Sequence, residues 1–101
     1  MDQRPVELHP AAIDEARAAR EWYAARSPAA GAAFGAELDR AIEAIAAAPE
    51  RWATYLHGTR RYLMNRFPYL VVYREAPDRV QVIAVAHGRR RPGYWRSRMT
   101  E

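Results

Sequence analysis

The sequence of 101 residues contains no cysteine, so neither a disulfide nor a thiolate metal site can contribute to its structure. It has only three histidines, without close carboxylate partners along the chain, and we expect no metal site and no cofactor. No apolar run approaches the length that crosses a membrane, and the N-terminus lacks an apolar signal core. A soluble, cytoplasmic protein is therefore expected.

The sequence also lacks lysine, and every one of its 16 Lys/Arg positions is arginine. Residues 1–50 contain five arginines and nine acidic residues, a net charge of −4, whereas residues 51–101 contain eleven arginines and three acidic residues, a net charge of +8. An Ala- and Arg-rich composition explains the missing lysine but not this uneven distribution. Because guanidinium groups suit phosphates and carboxylates, the second half predicts a surface for an anionic partner.

The order of hydrophobic periods predicts a single domain over residues 1–101. The signals His9-Pro10 and Ser27-Pro28 each mark a helix start, and Pro49 stops the second helix after Ala48. Helices are expected at 11–26 and 28–48, and strands at 4–8, 60–67, 69–75 and 80–87. The predicted fold class is α+β, with a helical hairpin packed on a mostly antiparallel four-stranded sheet in the order β-α-α-β-β-β.

Three finer expectations follow from the pattern. The continuous apolar run at 70–73 predicts a central strand that is covered on both faces. The last strand is expected to alternate, with residues 80, 82, 84 and 86 on one face and 81, 83, 85 and 87 on the other. Asp14 and Glu15 are placed in the first helical turn, where carboxylates favour the positive end of the helix dipole.

The arginine-rich segment, residues 87–98, contains arginine or histidine at six of its twelve positions and two large aromatic residues. Such a composition predicts a presented surface with nothing to bury as a core element. For Tyr94 and Trp95 a second interpretation is open, in which they anchor this segment to the sheet.

Several stretches together resemble a known group of proteins. They are Trp22-Tyr23, Phe34…Leu38…Ile42…Ile45…Pro49, Arg66-Phe67-Pro68-Tyr69…Val72-Tyr73-Arg74 and Val85-Ala86-His87-Gly88-Arg89-Arg90…Tyr94-Trp95. In this order they resemble the RelE/ParE toxin superfamily of bacterial type II toxin–antitoxin systems, and they are closer to ParE-like members. The match extends over nearly the whole chain.

This resemblance implies a growth-inhibiting toxin whose cognate antitoxin wraps an extended, acidic C-terminal segment around it. ParE-like members are associated with poisoning of DNA gyrase, and RelE-like members cut messenger RNA in the ribosomal A site. The fold alone does not choose between these targets. A basic nucleic-acid-binding domain without toxicity is a third reading of the same charge pattern.

The candidate site residues follow from both lines of argument. A metal-free nuclease would draw its cations and proton-transfer groups from Arg61, Arg66, Arg74, His87, Arg89 and Tyr94. A target-binding or nucleic-acid-binding surface would use Arg61, Arg66, Arg74, His87, Arg89, Arg90, Arg91, Tyr94, Trp95 and Arg98. The candidates for antitoxin contacts are Trp22, Tyr23, Arg74 and Arg89.

Cleavage also needs a base, and no carboxylate lies on the first meander strand. Glu75 stands at the turn end of its strand, which is a poor position for that role. The sequence therefore favours a binding protein over an enzyme, with the metal-independent endoribonuclease as the alternative. His9 and His57 are isolated and receive no role.

Overall fold

A computed structural model describes residues 4–99 of the chain, and the expectation about the N-terminal signal falls partly on residues outside that range. There are two helices, α1 (Pro10–Arg26) and α2 (Pro28–Ala47). The strands are β1 (Val6–Leu8), β2 (Ala53–Thr54), β3 (Arg60–Leu63), β4 (Tyr69–Glu75) and β5 (Val80–His87). Two 3₁₀ turns cover Leu56–Gly58 and Arg96–Met99. The predicted α+β class is confirmed. The sheet has five strands instead of the four predicted, because the two-residue strand β2 forms between α2 and β3. No helix of the described part is long and apolar enough to cross a membrane.

Ser27 joins the two helices without an intervening loop. Its N–H donates to the Tyr23 carbonyl at the end of α1, and its Oγ accepts from the Ala30 N–H at the start of α2. The hairpin is tight enough that a Cβ at Gly31 would lie 2.6 Å from the Ala24 Cβ. Glycine is therefore required at this crossing, because any side chain there would displace the first helix.

Helix α1 begins at Pro10, where the His9-Pro10 signal marks the helix start, one residue before the predicted range 11–26, and the His9 Nδ1 accepts from the Ala11 N–H at 3.0 Å. The first turn contains no acidic residue, so the placement of Asp14 and Glu15 there was wrong. Both residues fall one turn later, where the free N–H groups of the helix start are out of reach.

The strands follow the order β1-β5-β4-β3-β2. Strand β1 runs parallel to β5, and the other pairs are antiparallel. Strand β4 has neighbours on both sides and buries Val71, Val72 and Tyr73, which confirms the predicted central strand. Strand β1 pairs only with Val80 to Val82, so the remainder of β5 has no strand beside it on that edge.

A β-bulge in β5 changes which residues face the helices. Tyr73 lies opposite Val82 and Val72 lies opposite Ala84, so Ile83 has no partner on β4. The extra residue reverses the alternation beyond it. Residues 80 and 82 therefore face the helices, whereas residues 84 and 86 face away from them. The prediction of one face for residues 80, 82, 84 and 86 was therefore wrong.

Each face of the sheet has its own core. On the helix face, the largest fully buried side chains are those of Phe34, Ile45, Val71, Tyr73, Val80, Val82 and Val85. On the opposite face, here called the tail face, Val72, Ile83, Ala84 and Ala86 pack with Trp95 of the arginine-rich segment. Trp95 is 1% exposed, so the segment supplies a core residue and is not only a presented surface. The anchoring interpretation of this residue is the one that the structure supports.

Strand β3 ends at Leu63 rather than at Phe67, because an acidic side chain takes over the backbone donors beyond it. The Glu37 carboxylate of α2 accepts from the N–H groups of Asn65 and Arg66. Glu37 is 5% exposed, and burial alone would raise its pKa. The hydrogen bonds from this turn outweigh burial and hold the pKa below its ordinary value.

Candidate functional site

Glu15 of α1 organises the end of β5 and the arginine-rich segment. Its Oε1 accepts from the Val85 N–H at 3.0 Å and from the Arg98 Nη1 at 2.9 Å. Its Oε2 accepts from the Arg98 Nη2 at 2.9 Å and from the Tyr94 hydroxyl. We call these four residues the Glu15 cluster. It connects a helix on one side of the sheet to a segment that packs on the other.

The ionisation of the Glu15 cluster follows from its contacts. Burial alone would raise the pKa of Glu15, but the hydrogen bonds from Arg98, Tyr94 and the Val85 amide outweigh it and lower that pKa. Burial and the bond to Glu15 raise the pKa of Tyr94 above its usual range. Glu15 is therefore held as a carboxylate, and Tyr94 as a neutral donor to it.

The arginines divide into those with partners and those without. Arg98 pairs with Glu15, and Arg74 donates to the Gln81 Oε1 at 3.0 Å and to the Met99 carbonyl at 3.4 Å. By contrast, four exposed arginines of the arginine-rich segment make no ion pair with any residue of the described range, namely Arg89, Arg90, Arg91 and Arg96. We call these four the exposed arginine cluster. Their guanidinium groups are available to an anionic partner.

Four of the predicted arginines also lie over aromatic rings, and the distances are shortest for Arg90 and Arg61. The Arg90 Cζ lies 3.8 Å from the centre of the Tyr94 ring, and the Arg61 Cζ lies 4.9 Å from that of Tyr55. Tyr55 in turn lies 6.0 Å from Trp95, ring centre to ring centre. Stacking of this kind orients a guanidinium group while leaving its N–H donors free.

The candidates for RNA cleavage do not converge on one point. Arg61 is opposite Val72 and Arg74 is opposite Gln81, both on the tail face. His87 contacts Tyr69 on the helix face, with ring centres 5.1 Å apart. A phosphate cannot reach groups on both faces of a sheet at once.

The possible acids and bases are also engaged elsewhere. The Tyr94 hydroxyl donates to Glu15, and the His87 Nδ1 accepts from the Arg89 N–H at 3.0 Å. Arg66 reaches the Glu37 Oε1 at 3.4 Å, on the helix side of the sheet. Hydrogen bonds from Arg4 and then from Arg60 hold the pKa of Glu75 below its ordinary value. None of these contacts provides a free base next to an arginine pair.

A groove of about 520 Å³ lies between α1 and the far end of β5; we call it the α1 groove. Ala19, Tyr23, Tyr69 and Val85 make its apolar lining, and Glu15, His87 and Arg90 contribute polar groups. Trp22 also lines it, is 52% exposed, and carries the Arg26 guanidinium 3.3 Å from its ring centre. An exposed tryptophan beside an apolar groove is typical of a protein-binding surface.

The predicted antitoxin contacts fall in two places. Trp22 and Tyr23 line the α1 groove, and Tyr23 also packs into the core, with its ring centre 4.8 Å from that of Phe67. Arg74 lies on the tail face, so it does not share this groove. Arg89 lies two positions after His87, which lines the groove, and its N–H donates to the His87 Nδ1 at 3.0 Å.

Two candidates for the target-binding surface are largely buried in the structure, one of them Trp95, for which the anchoring interpretation was also open. Trp95 belongs to the tail-face core, and the Arg98 side chain is 17% exposed and paired with Glu15. Sequence reasoning also missed Glu15 and Glu37. The signal for both was present, because each acid falls within an apolar helical stripe, next to Ala12 and Ala19 in α1 and next to Phe34 and Leu38 in α2.

Comparison with known proteins agrees with this fold. A family model described as the ParE toxin of type II toxin–antitoxin systems, parDE, matches residues 6–92. A solved structure described as "Chromosomal ParDE TA system from P. aeruginosa" contains a similar chain, with 12% identity and a TM-score of 0.75. The alignment covers 84% of this chain and 96% of that one. No curated protein sequence matches.

Proposed function

Because the chain belongs to the ParE toxin family of type II toxin–antitoxin systems, we propose that it arrests growth by poisoning DNA gyrase in the cytoplasm and that a cognate antitoxin neutralises it. The proposed toxin acts by binding and carries out no cleavage of its own. The observation behind this choice is the exposed arginine cluster, which presents four guanidinium groups without ion pairs in the described range. The separation of the nuclease candidates onto two faces supports the same choice.

The exposed arginine cluster is the proposed contact with the gyrase–DNA complex. Arg61 and His87 are further candidates at its margins, whereas Arg66 and Arg74 are held by Glu37 and Gln81. Arginine forks recognise phosphates and carboxylates through paired hydrogen bonds. A cluster of this charge also accelerates encounter with an anionic partner, and the acceleration decreases with salt.

A supercoiling assay with purified gyrase and plasmid DNA tests this proposal. We expect the protein to inhibit supercoiling and to accumulate cleaved DNA. The triple substitution Arg89→Ala, Arg90→Ala and Arg91→Ala should abolish both effects. The matched control is Arg17→Ala, Arg20→Ala and Arg40→Ala, which removes the same charge from exposed positions on the helices.

Three results, from this assay or from cells that express the protein, would contradict the gyrase proposal or its arginine contact. Uninhibited supercoiling in the presence of translation arrest would indicate the ribosome instead. Transcripts cut at defined codons would indicate a nuclease. Equal loss of activity in the two triple variants would show that net charge matters and that the position of the arginines does not.

We further propose that the α1 groove binds the acidic C-terminal segment of the antitoxin. Its apolar side chains would fill the lining at Ala19 and Val85, while its carboxylates meet Arg90 of the lining and Arg89 beside it in sequence. An amphipathic segment in an apolar groove is a common mode of peptide recognition. Trp22 would be the main aromatic contact, since it is exposed before binding.

The substitution Ala18→Glu tests the groove, because Ala18 is exposed and lines it. A glutamate there narrows the groove and repels an acidic segment, so we expect a toxin that still arrests growth but escapes the co-expressed antitoxin. The control is Ala29→Glu, at an exposed position near the start of α2. Unchanged neutralisation of the Ala18→Glu toxin would reject this location.

A further inference from the structure

The edge of β5 is completed by side chains where β1 stops. Strand β1 ends opposite Val82, yet the next groups along that edge still have partners. The Ile83 carbonyl accepts from the Arg98 Nη1 at 3.0 Å, and the Val85 N–H donates to the Glu15 Oε1 at 3.0 Å. The Glu15–Arg98 pair thus replaces a missing strand, because edge groups without partners are costly when they are buried.

Glu15 receives as many donors as a carboxylate can readily take. Two donors reach each oxygen, and three of the four come from Arg98 and Tyr94 of the arginine-rich segment. The side chains of Glu15 and Arg98 are only 16% and 17% exposed. Paired hydrogen bonds between a guanidinium and a carboxylate are among the strongest side-chain contacts, and burial reduces their screening by water.

The Glu15 cluster lies next to the exposed arginines in sequence and in contact. Arg90 stacks on Tyr94, and the Tyr94 hydroxyl donates to Glu15. Trp95 follows Tyr94 and enters the tail-face core, while Arg96 lies between Trp95 and Arg98. Arg90 and Arg96 of the exposed arginine cluster are therefore attached to residues that the Glu15 cluster and the tail-face core hold, and Arg89 and Arg91 flank Arg90 in sequence.

We propose that Glu15 is a positioning residue that holds the arginine-rich segment in its active conformation, so that loss of this one carboxylate releases the segment and weakens the toxin about tenfold while the domain stays folded. The proposal rests on the toxin function proposed above. Glu15 contacts the target at no point and acts only through Tyr94, Arg98 and the buried Trp95. The last six residues of the arginine-rich segment, 93–98, lie beyond residues 6–92, the range that the family model matches.

Trp95 provides a direct spectroscopic measure of segment release. The chain has three tryptophans, so the substitutions Trp22→Phe and Trp52→Phe leave Trp95 as the single emitter. In that background we expect Glu15→Gln to shift the emission to longer wavelength and to increase quenching by acrylamide, with the far-ultraviolet dichroism of the helices retained. The amide presents an N–H₂ group to a site that already contains only donors.

Growth arrest from an inducible promoter, in the chain with all tryptophans, measures the activity. If the segment is docked for about a tenth of the time, apparent affinity for the target falls about tenfold. We therefore expect Glu15→Gln to require about tenfold more toxin for arrest. Asp14→Asn is the matched control, because Asp14 is exposed on the same helix and pairs only loosely with Arg17, at 3.8 Å.

Arg98→Ala removes the other half of the pair without altering a helix. We expect it to reproduce both effects, and the double variant Glu15→Gln/Arg98→Ala to be no worse than the more severe single one, since both variants disrupt the same Glu15–Arg98 pair. Full additivity of the two in the emission measurement would contradict a shared role.

Two results would overturn the proposal. In the first, Trp95 stays buried in both single variants. In the second, Trp95 is released but growth arrest is unchanged, which shows that the docked segment is not needed. Neither result depends on the identity of the target, so failure of gyrase inhibition by the unaltered protein would reject the gyrase proposal alone.

Discussion

The helix face and the tail face of this sheet are covered in different ways. Two long helices cover the helix face, with Phe34 and Ile45 completely buried at its centre. The tail face is covered by the end of the arginine-rich segment, half of whose twelve residues are arginine or histidine and which buries one large side chain, Trp95. The packing of the helices depends on buried apolar area, whereas the packing of the arginine-rich segment depends on ion pairing as well. The proposed working surface therefore lies on the part of the fold that charge controls.

This difference bears on how the protein can lose activity. Apolar burial in the helix-face core is insensitive to pH and to moderate salt, and its loss unfolds the domain. The contacts of the Glu15 cluster require a charged carboxylate, so their loss releases one segment. Regions with few apolar contacts open at lower cost than the core, and functional segments are often among them.

The largest expected effect is on the helix face. Phe34→Ala removes a ring that packs against Tyr23, Phe67 and Tyr69. We expect the free energy of unfolding to fall by about 3–5 kcal/mol. Urea denaturation followed by circular dichroism measures this, with Leu63→Ala as control, because Leu63 is 59% exposed. A loss of similar size in the control would show that the helix-face core is not the main source of stability.

The helix hairpin allows two similar substitutions with opposite results. Gly31→Ala places a methyl group 2.6 Å from the Ala24 Cβ, and we expect a destabilisation of about 1–3 kcal/mol. Gly35→Ala meets only the flexible Arg20 side chain, at 3.5 Å, and should stabilise α2 by about 0.5–1 kcal/mol. Thermal melts of both variants test the pair. Equal shifts of the melting temperature in the two variants would mean that the helices are less closely packed than the structure shows.

On the tail face, the substitution Arg74→Ala tests whether paired arginines contribute more to stability than exposed ones. It removes the hydrogen bonds to Gln81 and to the Met99 carbonyl, and we expect a loss of about 1 kcal/mol. Arg91→Ala, at an exposed position of the exposed arginine cluster, should change stability by less than about 0.5 kcal/mol. Chemical denaturation of the two variants compares them. A larger loss from Arg91→Ala would contradict the division of the arginines.

Acid should act on the tail face through Glu15, whose donors are Arg98, Tyr94 and the Val85 amide. Its folded-state pKa lies below the ordinary 4.5, so its contribution to stability is present above pH 4.5 and is lost as the pH falls through the folded value. Emission of the single-tryptophan chain should shift to longer wavelength in that range. The Glu15→Gln chain should show the shift already at neutral pH and little change with acid. An acid shift of the same size in both chains would assign it to other carboxylates, such as Glu37.

Much of the fold could be predicted from the sequence because its signals are local. Pro10 and Ser27-Pro28 mark the helix starts, and the apolar run at 70–73 marks the central strand. The bounds of β4 and β5 agree with the prediction, since turn residues flank both. The bulge at Ile83 has no such signal, because it depends on how two strands fit together.

The candidate site was predicted less well, because its contacts join residues that are distant in sequence. Composition located the exposed arginines but did not distinguish them from Arg98 or Arg74, whose partners are distant in sequence. Glu15 and Arg98 are separated by 83 positions, and no local pattern links them.

The sequence by itself determined the element order, the α+β class and the location of positive charge, because helix starts, apolar periods and composition act over a few residues. Only the tertiary structure decided that Trp95 is buried, that Ile83 reverses the strand alternation, and that the ion pair of Glu15 completes an edge left open by β1. These features depend on contacts between distant parts of the chain, and such contacts exist only after the sheet has formed.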